Sequence, residues 1–225
     1  MILLLGDIHG DYKALERAVK KANETGAVAI IQVGDFGLFR SYGMANETHF
    51  YTVAKASNIP IYFIDGNHDD CDRWYDYTEV TRVWPDANLF YVPRGTVMEL
   101  DNRTIAFMGG AASIDKAWRL RDGAHWTDKE NIRVEEKLRL YENAKDKKID
   151  MFITHCPPNS VIEKHFNPMD KLFFGVPLEW VDNNQLLIEQ MWDHLGNPQI
   201  YSGHMHRNID VENYTIININ HVMSV

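Results

Sequence analysis

Cysteine is scarce in this 225-residue chain. Cys71 and Cys156 stand far apart, and neither belongs to a Cys-x-x-Cys pair. That spacing argues against a disulfide framework or a thiolate metal site and points to two reduced thiols. Long apolar runs are lacking too. The run from Ile2 to Leu5 has no basic leader and meets Gly6 and Asp7 at once, which is too short for a secretory signal. No later stretch reaches the length of a membrane span. Basic residues are in deficit, with 23 Lys and Arg against 32 Asp and Glu and a formal charge of -9. Such a chain repels a polynucleotide backbone unless a basic groove compensates. Long nucleic acid is therefore disfavoured as a partner, no membrane partner is expected, and a soluble cytoplasmic protein is the reading. Repeats, low-complexity tracts and linkers are also missing. A single domain over residues 1–225 is the economical expectation.

What is present suits a globular α/β domain. Apolar residues make up 45% and charged residues 24%, ordinary values for a chain long enough to enclose a core. Ile2 to Leu5 reads as a buried strand. Asp11 then looks like a helix N-cap, with Leu15, Ala18, Val19 and Ala22 at helical spacing and Gly26 as the stop. Val28 to Val33 and Ile61 to Ile64 read as strands around a helix carrying Phe50, Val53 and Ala54. Phe90, Thr96 to Leu100 and Thr104 to Met108 mark strands with no helix between them. Residues 109–126 show no period. Thr127 and Glu130 form a capping-box pattern, expected to open a helix with Val134, Leu138 and Tyr141 on one face. Met151 to Thr154, Gln199 to Ser202 and Tyr214 to Asn220 complete the strands. Residues 157–177 read as irregular, and a last helix carries Leu187, Met191 and Leu195 up to Gly196. The run of helix-free strands fits a four-layer α/β/β/α sandwich with two mixed β-sheets.

Five apolar runs end in residues suited to metals. They lead into Gly6-Asp7-Ile8-His9-Gly10, Gly34-Asp35, Gly66-Asn67-His68-Asp69, His155, and Gly203-His204-Met205-His206. Sites in α/β sheets form where strands give way to loops at their carboxyl ends. Carboxylate, imidazole and amide without thiolate suit Mn²⁺, with Fe²⁺ or Zn²⁺ as alternatives. The donors outnumber what one ion needs, and two ions with a shared carboxylate would use them. With Asp7, Asp35 and a hydroxide, two divalent ions leave a core charge of about +1, attractive to a phosphate. Taken singly, each motif has a plain structural explanation. Their joint occurrence carries the reading. His49, His125, His165, His194 and His221 match no part of the cage.

At these residues the chain resembles the calcineurin-like metallophosphoesterase superfamily, especially its small bacterial and phage members. The matching motifs are GDIHG, GD, GNHD, a lone strand-end His and GHMH, in the family's order from Asp7 to His206. The resemblance implies that Asp7, His9 and His206 hold one divalent ion, that Asn67, His155 and His204 hold the other, and that Asp35 bridges them. It implies that His68 faces the substrate as the catalytic acid. Protein phosphatases of this superfamily continue the second motif as GDxxDRG. Here Leu38 stands where the acid that orients the catalytic His would be, and Arg40 is displaced by one. Both departures argue against a protein phosphatase and leave His68 without an orienting partner.

Two-metal chemistry implies attack by a bridging hydroxide on a phosphate ester, with His68 protonating the leaving group. The expected enzyme is a phosphodiesterase or phosphatase acting on a small phosphate-ester substrate such as a nucleotide. A nuclease is the alternative, and a non-catalytic scaffold is a third reading that the intact motifs oppose. A metal cage binds any phosphate, so selectivity needs other groups. The segment Gly109-Gly110-Ala111-Ala112-Ser113-Ile114-Asp115 through Arg119 resembles a loop of the small bacterial and phage members, and Arg119 is the candidate for substrate binding, because it matches the Arg of that resembled loop and carries a planar fork for phosphate oxygens.

Overall fold

The computed structural model describes residues 1–38, 43–173 and 176–225. Arg40 lies outside them. Two six-stranded sheets stack face to face. The first runs in the order β12-β1-β2-β3-β5-β4, made from Ile2–Leu5 (β1), Ala29–Gln32 (β2), Ile61–Phe63 (β3), Thr81–Arg82 (β4), Leu89–Tyr91 (β5) and Val222–Ser224 (β12). The second runs β10-β11-β9-β8-β7-β6, made from Val97–Leu100 (β6), Arg103–Met108 (β7), Met151–Thr154 (β8), Gln199–Ser202 (β9), Ile209–Val211 (β10) and Tyr214–Ile216 (β11). In both sheets the inner strands are parallel and each edge strand is antiparallel.

Strand alternation divides the core. From β1, Ile2 and Leu4 point between the sheets, where they join Ile31, Val33, Ile105, Phe107, Met151 and Ile153. Leu3 and Leu5 point the other way, against Leu15, Ala18 and Ala22 of α1 (Tyr12–Thr25) and Phe50 and Ala54 of α2 (Gly43–Ala56). On the far side, Ala106, Phe152 and Ile200 pack against Leu140 of α5 (Val134–Ala144) and Ile188 and Met191 of α8 (Asn183–His194). These are the four expected layers. Strands covered on both faces read as continuous apolar runs, as β1 and β2 do. The Asp11 carboxylate accepts from the Lys13 and Ala14 amides, and Gly26 ends α1 at φ +67°, both as read from the sequence.

Several elements differ from expectation. Residues 109–126 contain a short helix, α4 (Lys116–Arg121). It has no buried residue, so its sequence carries no apolar stripe to detect. Thr127 caps a 3₁₀ turn over Asp128–Glu130 rather than α5. Helix α5 starts at Val134, where the Arg133 amide donates to Glu136 at 2.8 Å. Its inner face carries Glu136, Leu140 and Ala144, whereas Val134 and Leu138 are exposed. The helix is rotated from the expected stripe because Arg94 draws Glu136 inward. Residues 157–177 hold α6 (Asn159–His165) and α7 (Asp170–Phe173), and α3 (Cys71–Trp74) and β4 are further additions to the expected elements. The terminal segment is two strands, β11 and β12, separated by a turn, and β10 precedes them. Both cysteines are buried free thiols. Among the described residues, no helix is long and apolar enough to cross a membrane.

Candidate metal centre

The loops after β1, β2, β3, β8 and β9 converge at the carboxyl edge of the two sheets. Asp7, Asp35 and Asn67 come from the first sheet; His155, His204 and His206 come from the second. Asp7, His9, Asp35 and His206 form one group, and Asp35, His155 and His204 form another, with the ligand atoms of each group within 4.8 Å of one another. Asp35 belongs to both.

Local geometry explains how each donor is aimed. The His9 and His206 Nε2 atoms face each other at 3.1 Å, and His206 Nε2 lies 3.2 Å from Asp7 Oδ2. The His204 amide donates to Asp7 at 3.0 Å. Asp35 Oδ1 accepts from the His68 amide at 2.7 Å. Asp35 Oδ2 is buried without a hydrogen-bond partner, 3.8 Å from His9 Nε2 and 3.4 Å from His155 Nε2. An unpartnered buried carboxylate oxygen costs several kcal/mol unless a cation satisfies it. His155 Nδ1 faces the Val33 carbonyl at 2.9 Å, so Nδ1–H donates there and Nε2 keeps its lone pair for a metal. Asn67 Oδ1 lies 3.2 Å from His155 Nε2, which places the amide oxygen with the second group. These residues therefore fit two divalent ions around Asp35. His9, Asp35, His204 and His206 all have positive φ, at 42°, 53°, 66° and 51°. Each such conformation costs roughly 1–3 kcal/mol for a non-glycine residue, and the surrounding packing holds it.

Close approach dictates the neighbouring glycines. A Cβ on Gly66 would sit 2.2 Å from Asp35 Oδ1 and 2.6 Å from His155 Nε2. Gly34 has φ +99°, and a Cβ there would meet the His155 ring at 2.3 Å.

The electrostatics match a cage made for positive charge. Burial opposes ionisation of Asp35, but the charge of His155, with those of His68 and His9, holds its carboxyl well below the usual range. Burial likewise opposes a charged His155, yet Asp35 and Asp7 raise it to about 10. Burial and the neighbouring His155 charge push His204 down to about 3. Burial and the charge of Asp35 raise Asp69 to about 7.

Four supporting residues escape the sequence reading. Asp69 accepts from the Phe36, Gly37 and Gly66 amides at 3.2, 2.7 and 2.8 Å, tying the second motif to the third. The Ser113 hydroxyl donates to Glu130 at 2.6 Å and accepts from Asn67 Nδ2 at 3.2 Å. That pair fixes the amide flip, so Oδ1 is the atom Asn67 turns to the cage. Asp115 holds Arg119 Nε at 3.0 Å. The available signals are the acid ending GNHD and the Ser and Asp in the resembled loop. Glu130, expected in a helix cap, instead turns its carboxylate inward to the Ser113 amide.

Arg119 is not a solvated surface residue. Its side chain is 11% exposed. It donates to the Asn67 carbonyl at 3.1 Å, and Nη2 lies 2.8 Å from the His68 ring. Leu38, at the position of the missing acid, is fully buried in the core. The contact to His68 that the second motif does not supply comes instead from α4. His49, His165 and His194 pack against Tyr12, Tyr214 and Tyr141, away from the cage, and His125 pairs with Asp72.

Comparison with known proteins agrees with this architecture. A family model described as calcineurin-like phosphoesterase matches residues 1–208. The crystal structure of TT1561 of Thermus thermophilus is similar with a TM-score of 0.59 at 18% identity, over 97% of this chain and 89% of that one. A second crystal structure gives a TM-score of 0.59 at 13% identity, over 96% and 89%. At such identities these two show the fold alone. No curated protein sequence matches.

Proposed function

The chain belongs to the calcineurin-like phosphoesterase family, and on that premise we propose that it hydrolyses a small phosphate ester, a phosphodiester or nucleotide, with two divalent ions. The observation that carries this reading is the orphaned Asp35 Oδ2 between two groups of imidazoles and carboxylate. Asp7, His9 and His206 would hold one ion, Asn67, His155 and His204 the other, and Asp35 both, with Mn²⁺ the first metal to try. When bound, such ions supply Lewis acidity that lowers the pKa of water and offsets phosphate charge. The test is turnover of bis(nitrophenyl) phosphate after chelation and restoration of Mn²⁺, with elemental analysis. Full two-metal occupancy without turnover of any phosphate ester would favour the scaffold reading.

The protein's own groups handle the leaving group. His68 sits 5.0 Å from His9, centroid to centroid, at the rim of the cage. Burial holds its imidazole below the usual value, with Asp35 opposing and Arg119 assisting. An imidazole held low is the stronger acid once protonated, and an arriving phosphate brings negative charge that favours the proton. His68→Ala should keep both metals and lower kcat by roughly 10²- to 10⁴-fold for an alkoxide leaving group. The loss should shrink for nitrophenolate, which departs without a proton. Equal losses on both substrates would remove His68 from the acid role.

Arg119 reaches the same rim. Its fork suits a phosphate oxygen, and its tether to Asp115 limits the entropy lost on binding. Arg119→Ala should leave metal content intact and reduce kcat/KM by about 1.5–3 kcal/mol, as for a charge-assisted hydrogen bond. A rise in KM assigns that loss to substrate binding. Loss confined to kcat, with a shifted pH profile, would instead make Arg119 a positioning residue for His68.

A further inference from the structure

Beside the cage lies a cavity of about 420 Å³, within the roughly 300–1,000 Å³ typical of small-molecule sites. Helix α4 forms one wall through Ala117 and Leu120, and the segment leading into α8 forms another through Val181 and Trp180. Leu120 is 56% and Val181 46% exposed, apolar surface that the core does not use. Trp126 adds a second indole, with its Nε1 donating to Glu130 at 3.0 Å and Lys116 Nζ 3.6 Å from its ring centre.

Helix α4 partitions cavity from cage. Arg119 leaves it toward His68, while residues 116, 117 and 120 border the cavity. Ser113 belongs to both sides: it borders the cavity and accepts from Asn67 Nδ2 at 3.2 Å. A molecule seated here is one side chain away from the cage.

Resting on the phosphoesterase reading above, we infer that this cavity is the subsite for the base of a mononucleotide ester whose phosphate enters the cage. Indole faces stack on the π-face of every base. The hydrogen bond to Glu130 fixes the Trp126 ring, so little freedom is lost on stacking. An acyl chain would suit the apolar wall but would desolvate the carboxylates of Glu130 and Asp182 with nothing in return. The net charge of -9 works against a long strand.

The test compares two esters with one leaving group, methyl nitrophenyl phosphate and the nitrophenyl ester of thymidine monophosphate, on the Mn²⁺-loaded protein. The nucleoside ester should show a kcat/KM roughly 5- to 150-fold higher, the worth of one stacked base. Ala117→Phe fills the cavity from an exposed helical position and should abolish that advantage while leaving the methyl ester unchanged. Equal rates in the parent protein, or an advantage that survives Ala117→Phe, would overturn the assignment. If neither ester turns over, the phosphoesterase reading has failed, and fluorescence decides the cavity separately. Saturable quenching by thymidine monophosphate that Ala117→Phe removes supports the subsite, and absence of such quenching overturns it. A single-stranded oligonucleotide that binds more tightly than the mononucleotide would overturn the mononucleotide occupant.

Discussion

Asp35→Asn is expected to abolish two-metal occupancy and turnover together. Asp35 is the residue common to both ligand groups, and its buried Oδ2 is satisfied by no protein donor. The amide is nearly isosteric but carries no charge, and its NH₂ cannot coordinate a cation. Removing an outer partner of a metal ligand already costs roughly 10- to 100-fold in affinity or activity, so loss of the shared carboxylate should exceed that. Elemental analysis alongside turnover is the measurement. A variant retaining both ions and parental activity would show that Asp35 does not bridge.

Arg94→Ala should be the most destabilising single change. Arg94 is 4% exposed and lies between buried Asp65 at 2.6 Å and buried Glu136 at 3.2 Å. It also donates to the carbonyls of Lys129, Glu130 and Asn131. Breaking such a network strands the buried Asp65 carboxylate without a counter-charge, while Glu136 keeps Arg133 at 2.8 Å, at a cost of about 3–5 kcal/mol. For a chain of this size that corresponds to roughly 6–20 °C in Tm. Replacement by alanine with a melting point unchanged to within a degree or two would refute this. The residues around Arg94 also support the cage. The Gly110 amide donates to the Asp65 carbonyl, and Gly66 and Asn67 follow Asp65 directly. The variant should therefore also bind metal less tightly when folded.

The central fold is legible in the sequence because both sheets are buried on two faces. Ile2 to Leu5 and Met151 to Thr154 can only be interior strands, and the metal-suited residues follow such runs immediately. Short helices are not legible. Helix α4 is set by the anchoring of Asp115 and Arg119 against His68 rather than by an apolar stripe. The inner face of α5 departs from its apolar pattern because Glu136 is buried through its pairing with Arg94, a tertiary contact that periodicity cannot show. The positive φ of His9, Asp35, His204 and His206 likewise has no local sequence signal. Those four residues adopt it because the loops must turn their side chains back across the sheet edge.

The division of the donors between the sheets has a mechanical consequence. Asp7, Asp35 and Asn67 ride on one sheet, and His155, His204 and His206 on the other, while aliphatic side chains such as Leu4 and Ile153 are the glue between them. Ions held by both sets would act as a rivet across that apolar seam. Shear between the sheets would then require rupture of coordination bonds as well as sliding of side chains, so a loaded protein would resist as one body where a metal-free one would yield along the seam.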